Sequence, residues 1–189
     1  IVGMGGLIAS FAQGGYWLSE QIPQVGFTTG HAYTIINIME IMEDCSTRVG
    51  LNIKKSTVAI VGAAGSIGSE IVRQLLNYQP EYIILCDQAE TPLHNLELEL
   101  NEHTTRVNCI NYLADVTNKS RMTSLFEEFK PQYIYHAAAY KHVPMMELCP
   151  TEAVRNNLIG VKVIADLAIQ HGVERFVMIS TDKAVNPTN

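Results

Sequence analysis

Short apolar runs alternate with segments of helical periodicity over residues 57–189. The runs are rich in β-branched and aromatic residues and lack the polar alternation of strands that face solvent on one side. They predict strands over residues 58–61, 82–85, 107–113, 133–136 and 175–179. The intervening segments predict helices that end near residue 78 or cover residues 92–102, 119–129 and 151–170. This alternation predicts an α/β fold with a Rossmann-like doubly wound parallel sheet, whose ligands bind at the carboxyl ends of the strands.

Residues 1–55 differ in composition from the rest. Only Glu20 is charged among residues 1–39, whereas the other 31 charged residues fall in residues 40–189. Early glycines predict a short strand or turn, and apolar spacing predicts a helix over residues 31–49 that residues 28–30 cap. The glycines, Gln13 and the lack of a basic flank argue against a membrane span or a signal peptide. We therefore expect a helical N-terminal segment that belongs to a larger domain.

The composition of the 189 residues narrows the function classes. Hydrophobic residues make up 47% and charged residues 17%, as in a soluble globular protein. The net charge of -6 and the lack of a basic cluster argue against a nucleic-acid-binding surface. The four cysteines are widely spaced without a CxxC pair, which is typical of reduced thiols in the cytoplasm. No cysteine or histidine spacing predicts a metal site.

The first predicted strand of the sheet runs into a glycine-rich segment, GAAGSIGSE, at residues 62–70. Gly62, Gly65 and Gly68 have G-x-x-G-x-x-G spacing, and apolar residues at helical intervals follow them. A strand, a glycine-rich turn and a helix N-terminus form a site in which backbone N–H groups can face a pyrophosphate. The spacing alone is a weak indication of a dinucleotide site. The residues at the ends of the later strands give it further support.

Two acids follow the second and third predicted strands. Asp87 lies 25 residues beyond Gly62, where an acid can accept hydrogen bonds from an adenosine ribose. The alternative is a loop aspartate that caps the next helix; we favour the ribose role because acid, strand end and glycine turn occur in register. An acid here suits NAD better than NADP, whose 2′-phosphate it would repel. Either Asp115 and Val116 flank an adenine, or Asp115 caps the helix that starts at residue 119. The sequence favours neither interpretation.

Small residues and then polar ones follow the fourth predicted strand. Ala137, Ala138 and Ala139 leave room for a cofactor across the sheet edge, although small residues also serve helix-on-sheet packing. Lys141 and His142 come directly afterwards. A lone histidine after a strand is more often a loop hydrogen-bonding group than a base.

Five segments together resemble one known family. They are GAAGSIGSE, LADV, HAAAYKHVP, Arg155-Asn156-Asn157 and STDKAVNPTN. They are similar to the CapD-like polysaccharide biosynthesis group of extended short-chain dehydrogenase/reductases, and the resemblance covers residues 56–189. It implies an NAD(P)-dependent nucleotide-sugar 4,6-dehydratase or epimerase in surface polysaccharide biosynthesis, with a substrate of the UDP-N-acetylglucosamine type. It also implies a cytoplasmic protein, or one at the cytoplasmic face of a membrane, and leaves a homo-oligomer open.

The resemblance implies a role for each matching residue. Cofactor binding is implied for Gly62, Gly65, Ser66, Ile67 and Gly68 at the pyrophosphate, Asp87 at the ribose, Asp115 and Val116 by the adenine, and Ala137, Ala138 and Ala139 along the nicotinamide. Lys141 is implied to reach a substrate or cofactor phosphate. Thr181 matches the residue that hydrogen-bonds the sugar hydroxyl being oxidised, while Asp182 and Lys183 match the acid and base of the elimination. Without the motif an Asp-Lys pair would be interpreted as a solvated turn; within it, at a strand's carboxyl end, we favour the catalytic roles.

The family's Tyr-x-x-x-Lys pair, which drives oxidation at C4, would follow Asn189, and some membrane-anchored relatives carry Met in place of that Tyr. The chain has no initiator Met and stops in mid-pattern. We therefore expect residues 56–189 to be an NAD(P)-binding Rossmann domain truncated at its C-terminus. On this expectation the 189 residues bind a dinucleotide and turn over nothing.

A shorter resemblance gives an alternative function. GMGGLIAS, TTGHAYT and TVAIVGAAGSIGS, within residues 1–70, are similar to acyl-carrier-protein reductases. This resemblance implies an NAD(P)-dependent reductase of acyl thioesters, although that family's nucleophilic cysteine has no assignable match here. A non-catalytic or recombinant dinucleotide-binding module is the third hypothesis.

Overall fold

The computed structural model describes residues 2–4, 27–29, 52–102 and 107–179. The chain divides into two compact units, Ile1–Leu51 and Asn52–Asn189. In the first unit, strand β1 (Val2–Met4) pairs in parallel with strand β2 (Phe27–Thr29). Residues 28–29 were predicted to begin a helix cap, but they lie in strand β2. A strand of three residues is too short for its hydrophobic spacing to be recognised in the sequence. The helix predicted over residues 31–49 lies outside the described residues.

A five-stranded parallel sheet forms the second unit, with the spatial order β5-β4-β3-β6-β7. The strands are β3 (Thr57–Val61), β4 (Tyr82–Asp87), β5 (Asn108–Leu113), β6 (Tyr133–His136) and β7 (Arg175–Met178). The helices are α1 (Ser66–Tyr78), α2 (Glu90–Glu102), α3 (Lys119–Phe129), α4 (Val143–Leu148), α5 (Pro150–Val154) and α6 (Val161–Gln170). A π-helical turn (Arg155–Gly160) joins α5 to α6, and a 3₁₀ turn (Ile53–Lys55) precedes β3. The predicted Rossmann-like α/β sheet is confirmed.

The order of the strands reverses at β3, which pairs with β4 on one side and β6 on the other. Because crossovers between parallel strands are right-handed, α1 and α2 cover one face of the sheet, and α3 and α6 cover the other. A crevice opens at the carboxyl ends of β3 and β6, where the chain leaves in opposite directions. The topology therefore places a ligand site among the loops after β3, β4 and β6.

The core lies between the sheet and its two helical layers. Strands β3, β4 and β6 are buried along nearly their whole lengths, as their apolar runs predict. On one face, Met122 and Phe126 of α3 and Ile164 of α6 pack in the same cluster as Ile134 of β6. Helix α1 is anchored by the fully buried Ile71, Val72 and Leu75. This packing holds α1 rigidly against the strand from which the glycine-rich turn emerges.

Several boundaries differ from the sequence prediction. Strand β4 continues two residues beyond residue 85, because Cys86 and Asp87 pair with Tyr112 and Leu113 of β5. Helix α4 was not predicted; Pro144 lies in its first turn, where the missing N–H of proline costs no hydrogen bond. The helix predicted over residues 151–170 is not one regular α-helix, because the π-helical turn separates α5 from α6. Such turns are rare and often lie at functional sites.

None of the helices in the described residues 52–102 and 107–179 is both long enough and apolar enough to span a bilayer. Nor do those residues hold a group of three or more His, Cys, Asp or Glu side chains that could bind a metal ion.

Candidate functional site

A cleft of about 310 Å³ lies at the carboxyl ends of β3, β4 and β6. Its volume and its place at the reversal of strand order are typical of small-molecule sites in doubly wound sheets. Of the predicted site residues, it brings together Gly62, Gly65, Asp87, Val116, Ala137, Ala138 and Ala139. It is not lined by Ser66, Ile67, Gly68, Asp115 or Lys141. The predicted catalytic residues Thr181, Asp182 and Lys183 lie outside the described residues.

Two glycines allow the turn after β3 to fold tightly between the sheet and α1. Gly62 has a φ of +86°, and a Cβ on it would lie 2.5 Å from the backbone nitrogen of Ala138. A Cβ on Gly68 would lie 2.0 Å from the carbonyl oxygen of Gly62. Neither contact is compatible with a side chain. The first glycine therefore makes the turn, and the third lets α1 approach it closely.

Gly65 has a different role, because space is open beside it. It is the N-cap residue of α1, with φ -73° and ψ 164°, and no side chain caps the helix there. A Cβ on Gly65 would make only an ordinary contact, 3.4 Å from the oxygen of Gly62. The N–H groups of the first helical turn, at Ser66, Ile67 and Gly68, have no partner within the helix itself. The positive end of the α1 dipole thus adjoins the cleft at Gly65, although Ser66, Ile67 and Gly68 themselves do not line it, and this end of a helix favours an anion.

The carboxylate of Asp87 is held by backbone N–H groups from both sides. Ala64 of the glycine-rich turn donates to its Oδ2 at 2.9 Å. Ala89, directly before α2, donates to its Oδ1 at 2.9 Å. Ala89, not Asp87, directly precedes the first residue of α2, so Asp87 is not the N-cap of that helix, and the capping alternative was wrong. Its carboxylate instead joins the glycine-rich turn to the residue before α2.

Asp115 does not cap α3. Its Oδ1 accepts hydrogen bonds from the N–H of Thr117 at 2.7 Å and the hydroxyl of Thr117 at 2.8 Å. The cap is Asn118, whose side chain accepts from the N–H of Arg121. The capping alternative was wrong because a cap directly precedes the first helical residue, and Asn118 occupies that place. The other carboxylate oxygen of Asp115 lies 3.5 Å from Arg155.

The wall after β6 is fixed by the π-helical turn. The Asn157 side chain accepts from the N–H of Tyr140 at 2.8 Å and donates to the carbonyl of Tyr140 at 2.8 Å. Asn156, 5% exposed, lines the cleft and donates to Asn157 at 3.0 Å. Gln88, on the opposite wall, donates to the hydroxyl of Tyr140 at 3.0 Å. Lys141 and His142 are exposed and lie in the same loop.

Several residues that line the cleft were missed by the sequence analysis. They are Val61, Ala64, Cys86, Gln88, Ala89, Pro92, Ala114 and Asn156. Most are adjacent in sequence to predicted residues, so adding one or two positions to the predicted site at each strand end would have included them. Asn156 gave a weaker signal, since its paired asparagines were noted only as part of a family motif.

Cys86 lines the cleft but is not a nucleophile. Its thiol is 1% exposed. Burial, with a smaller contribution from the charge of Asp87, raises the pKa of Cys86 to about 12. Burial likewise raises the pKa of Cys109 to about 11. Both thiols are therefore protonated at neutral pH, whereas the thiolate is the reactive form.

His136 ends β6 immediately before the alanines of the cleft. Its ring is 2% exposed and stacks on Phe176 with a centroid distance of 6.3 Å. Within the described structure neither ring nitrogen has a hydrogen-bond partner. Burial lowers the pKa of His136 to about 4, so the ring is neutral at physiological pH.

This burial makes stability depend on pH. Between pH 6.5 and about 4 the unfolded chain binds a proton at His136 that the folded protein does not, so the free energy of unfolding falls as the pH falls through this window. We expect a loss of roughly 3 kcal/mol across it. Urea denaturation of the wild type and of His136→Gln at several pH values measures this, and the variant should have a flatter profile. Parallel profiles for the two proteins would contradict the prediction.

Comparison with known proteins gives consistent matches over the residues that form the cleft. A family described as polysaccharide biosynthesis protein matches residues 58–189. The capsular polysaccharide biosynthesis protein CapD of Staphylococcus aureus is 46% identical over 142 residues, which are 75% of this chain and 24% of CapD. The inverting UDP-N-acetylglucosamine 4,6-dehydratase of Campylobacter jejuni is 33% identical over 136 residues, 71% of this chain and 39% of that enzyme.

Solved structures give a similar result. The UDP-glucose 4-epimerase of Thermus thermophilus, in complex with NAD, superposes with a TM-score of 0.57 at 29% identity. The match covers 66% of this chain and 37% of the epimerase. The chain thus spans well under half the length of the proteins that it resembles.

Proposed function

Because this chain belongs to the polysaccharide biosynthesis protein family, we propose that residues 56–189 bind the nicotinamide dinucleotide of a nucleotide-sugar 4,6-dehydratase or epimerase. The observation that carries the proposal is the cleft at Gly65, where a helix N-terminus without a side-chain cap opens onto the reversal of strand order. Side chains are excluded at Gly62 and Gly68 for packing, but Gly65 has room for one. An open cleft at the second glycine is what close approach of a pyrophosphate requires.

We assign the parts of the cofactor to parts of the cleft. The backbone of Gly65, Ser66, Ile67 and Gly68 would hold the pyrophosphate, and Asp87 would hold the adenosine ribose. The adenine would lie by Val116, with Asp115 shaping that loop through its bonds to Thr117. Ala137, Ala138 and Ala139 would leave space for the nicotinamide ring, which supplies hydride transfer when it is bound.

The acid at the end of β4 favours NAD over NADP. The Asp87 carboxylate already accepts two backbone N–H groups, which keep it in place on the wall of the cleft. A 2′-phosphate on the same ribose would place a second negative charge against it. We therefore propose NAD as the cofactor.

The substrate class and catalytic residues of the whole protein are proposed from its relatives. The relatives include enzymes named for UDP-N-acetylglucosamine and UDP-glucose. We propose a UDP-sugar substrate, with Thr181 at the oxidised hydroxyl, Asp182 and Lys183 as acid and base, and Lys141 at a phosphate. Exposed Lys141 lies in the loop that follows β6 and its three alanines. The free thiols Cys86, Cys109 and Cys149 favour a reducing, cytoplasmic location.

The acyl-thioester reductase alternative receives no support from the described cysteines. That chemistry, as the shorter resemblance implies it, uses a nucleophilic cysteine. Cys86, the cysteine in the cleft, is buried with its pKa raised to about 12. We therefore keep nucleotide-sugar chemistry as the proposed function.

Two measurements test the proposal. Calorimetric titration of the 189-residue chain with NAD(H) should give a micromolar-range dissociation constant, and no heat of binding would contradict the cofactor assignment. For the longer natural protein, UDP-N-acetylglucosamine should be converted to a 4-keto-6-deoxy sugar or to its C4 epimer. A protein that binds NAD(H) but converts no UDP-sugar would instead be a non-catalytic dinucleotide-binding module.

A further inference from the structure

The turn after β3 is tied to the end of β4 by hydrogen bonds of two kinds. The N–H groups of Gly62 and Ala63 donate to the carbonyl of Cys86 at 2.8 and 3.1 Å. The next N–H, that of Ala64, donates to the side chain of Asp87 at 2.9 Å. The main chain of β4 therefore holds the first half of the turn, and a carboxylate holds the second half.

The same carboxylate also ties the turn to α2. Its second oxygen accepts from Ala89, the residue directly before Glu90–Glu102. Asp87 is only half-buried, and it lines the cleft beside Gly65. Each carboxylate oxygen has two lone pairs, so one backbone N–H on each oxygen leaves room for the hydroxyls of a ribose. The two backbone bonds and a ribose can therefore be satisfied at once.

We propose that Asp87 is a positioning residue for the glycine-rich turn, in addition to any contact with a ribose. By holding the N–H of Ala64, it fixes the second half of the turn, on which the backbone at Gly65 depends for its place in the cleft. The inference rests on the proposed function for its consequence on nucleotides, but the anchoring itself does not need a cofactor.

The anchoring has a consequence for cofactor selection. If Asp87 only bound the ribose and repelled a 2′-phosphate, its replacement by Ala would weaken NAD binding and leave NADP binding unchanged or stronger. If it also positions the turn, the same replacement releases Ala64, and the pyrophosphate site common to both nucleotides is weakened. NADP binding would then fall together with NAD binding.

The test compares Asp87→Ala and Asp87→Asn with the wild type. Calorimetry with NAD⁺ and with NADP⁺ should show Asp87→Ala weakening both by about tenfold, the size expected for a lost hydrogen bond to a charged group. Asn can still accept from Ala64 with its single carbonyl oxygen and carries no charge. Asp87→Asn should therefore bind NADP⁺ more tightly than Asp87→Ala does. Glu90→Ala, which removes a nearby acid that does not line the cleft, should bind both nucleotides as the wild type does.

A second readout needs no nucleotide. Amide hydrogen exchange at Ala64 should be faster in Asp87→Ala than in the wild type, and Asp87→Asn should restore most of the protection. Unchanged exchange at Ala64, or an Asp87→Ala variant that binds NADP⁺ as well as the wild type does, would overturn the inference. If the wild type binds neither nucleotide, the proposed function fails, while the exchange measurement still decides whether Asp87 holds the turn.

Discussion

Replacing Gly68 by Ala is expected to lower the free energy of unfolding by at least about 3 kcal/mol. The added Cβ would lie 2.0 Å from the carbonyl oxygen of Gly62, 2.8 Å from its carbonyl carbon and 2.9 Å from the Cα of Ala63. All three atoms belong to the main chain, so no side chain can rotate away to relieve the contact.

The neighbouring structure cannot move cheaply either. Gly62 and Ala63 are hydrogen-bonded to the end of β4, and Ile71, Val72 and Leu75 bury α1 in the core. A shift of α1 by the ångström or more that the contact demands would open that core, and close-packed interiors do not tolerate such a gap. The loss would be a large part of the stability of an ordinary domain.

Urea denaturation of Gly68→Ala measures this effect, and Gly65→Ala is its matched control. A Cβ on Gly65 would lie 3.4 Å from the oxygen of Gly62, which is an ordinary contact. We expect Gly65→Ala to cost less than about 1 kcal/mol, the range for a poorer helix cap. Equal denaturation midpoints for the two variants would show that α1 does not pack on the turn as closely as the structure describes.

The strands and helices could be predicted from the sequence because their apolar residues recur at regular intervals. Near-continuous apolar runs gave β3 and β6 with at most one residue of error, and helical spacing gave the bounds of α3. The alternation of strands and helices also predicted a doubly wound parallel sheet, whereas the order of its strands is a finding of the structure. The glycine spacing also carried information about sterics, because Gly62 and Gly68 lack room for a side chain and Gly65 does not.

The misses share a physical cause, which is that they depend on contacts between distant parts of the chain. The bond from Ala64 to Asp87 joins the glycine-rich turn to the end of β4, 23 residues along the chain, and no local pattern specifies it. Asn157 lies in the π-helical turn and bonds to the main chain of Tyr140, which is 17 residues away, and hydrophobic periodicity does not predict such a contact. For Asp115 the sequence left an adenine contact and a helix cap equally open, and the structure shows that Asn118 is the cap.

Replacing Gly65 by Asp is expected to weaken NAD(H) binding by at least about 100-fold while leaving the fold intact. Gly65 is the N-cap of α1, where no side chain supplies a cap. Asp is among the best residues at that position, and its carboxylate would accept from the N–H of Ile67 or Gly68. Those N–H groups are the ones that we assign to the pyrophosphate, so the new carboxylate would occupy the anion site and repel the ligand.

The prediction separates stability from binding. Gly65→Asp should unfold at a urea concentration equal to or above that of the wild type, because a helix gains a cap and an anion at its N-terminus. Gly65→Asn, of the same size and equally able to cap but uncharged, should lose less affinity than Gly65→Asp, and Gly65→Ala should lose the least. Calorimetric titration of the four proteins with NAD(H) measures the series. A folded Gly65→Asp variant that binds within threefold of the wild type would mean that the pyrophosphate lies elsewhere, since an anion held by the first turn of α1 cannot share that turn with a carboxylate.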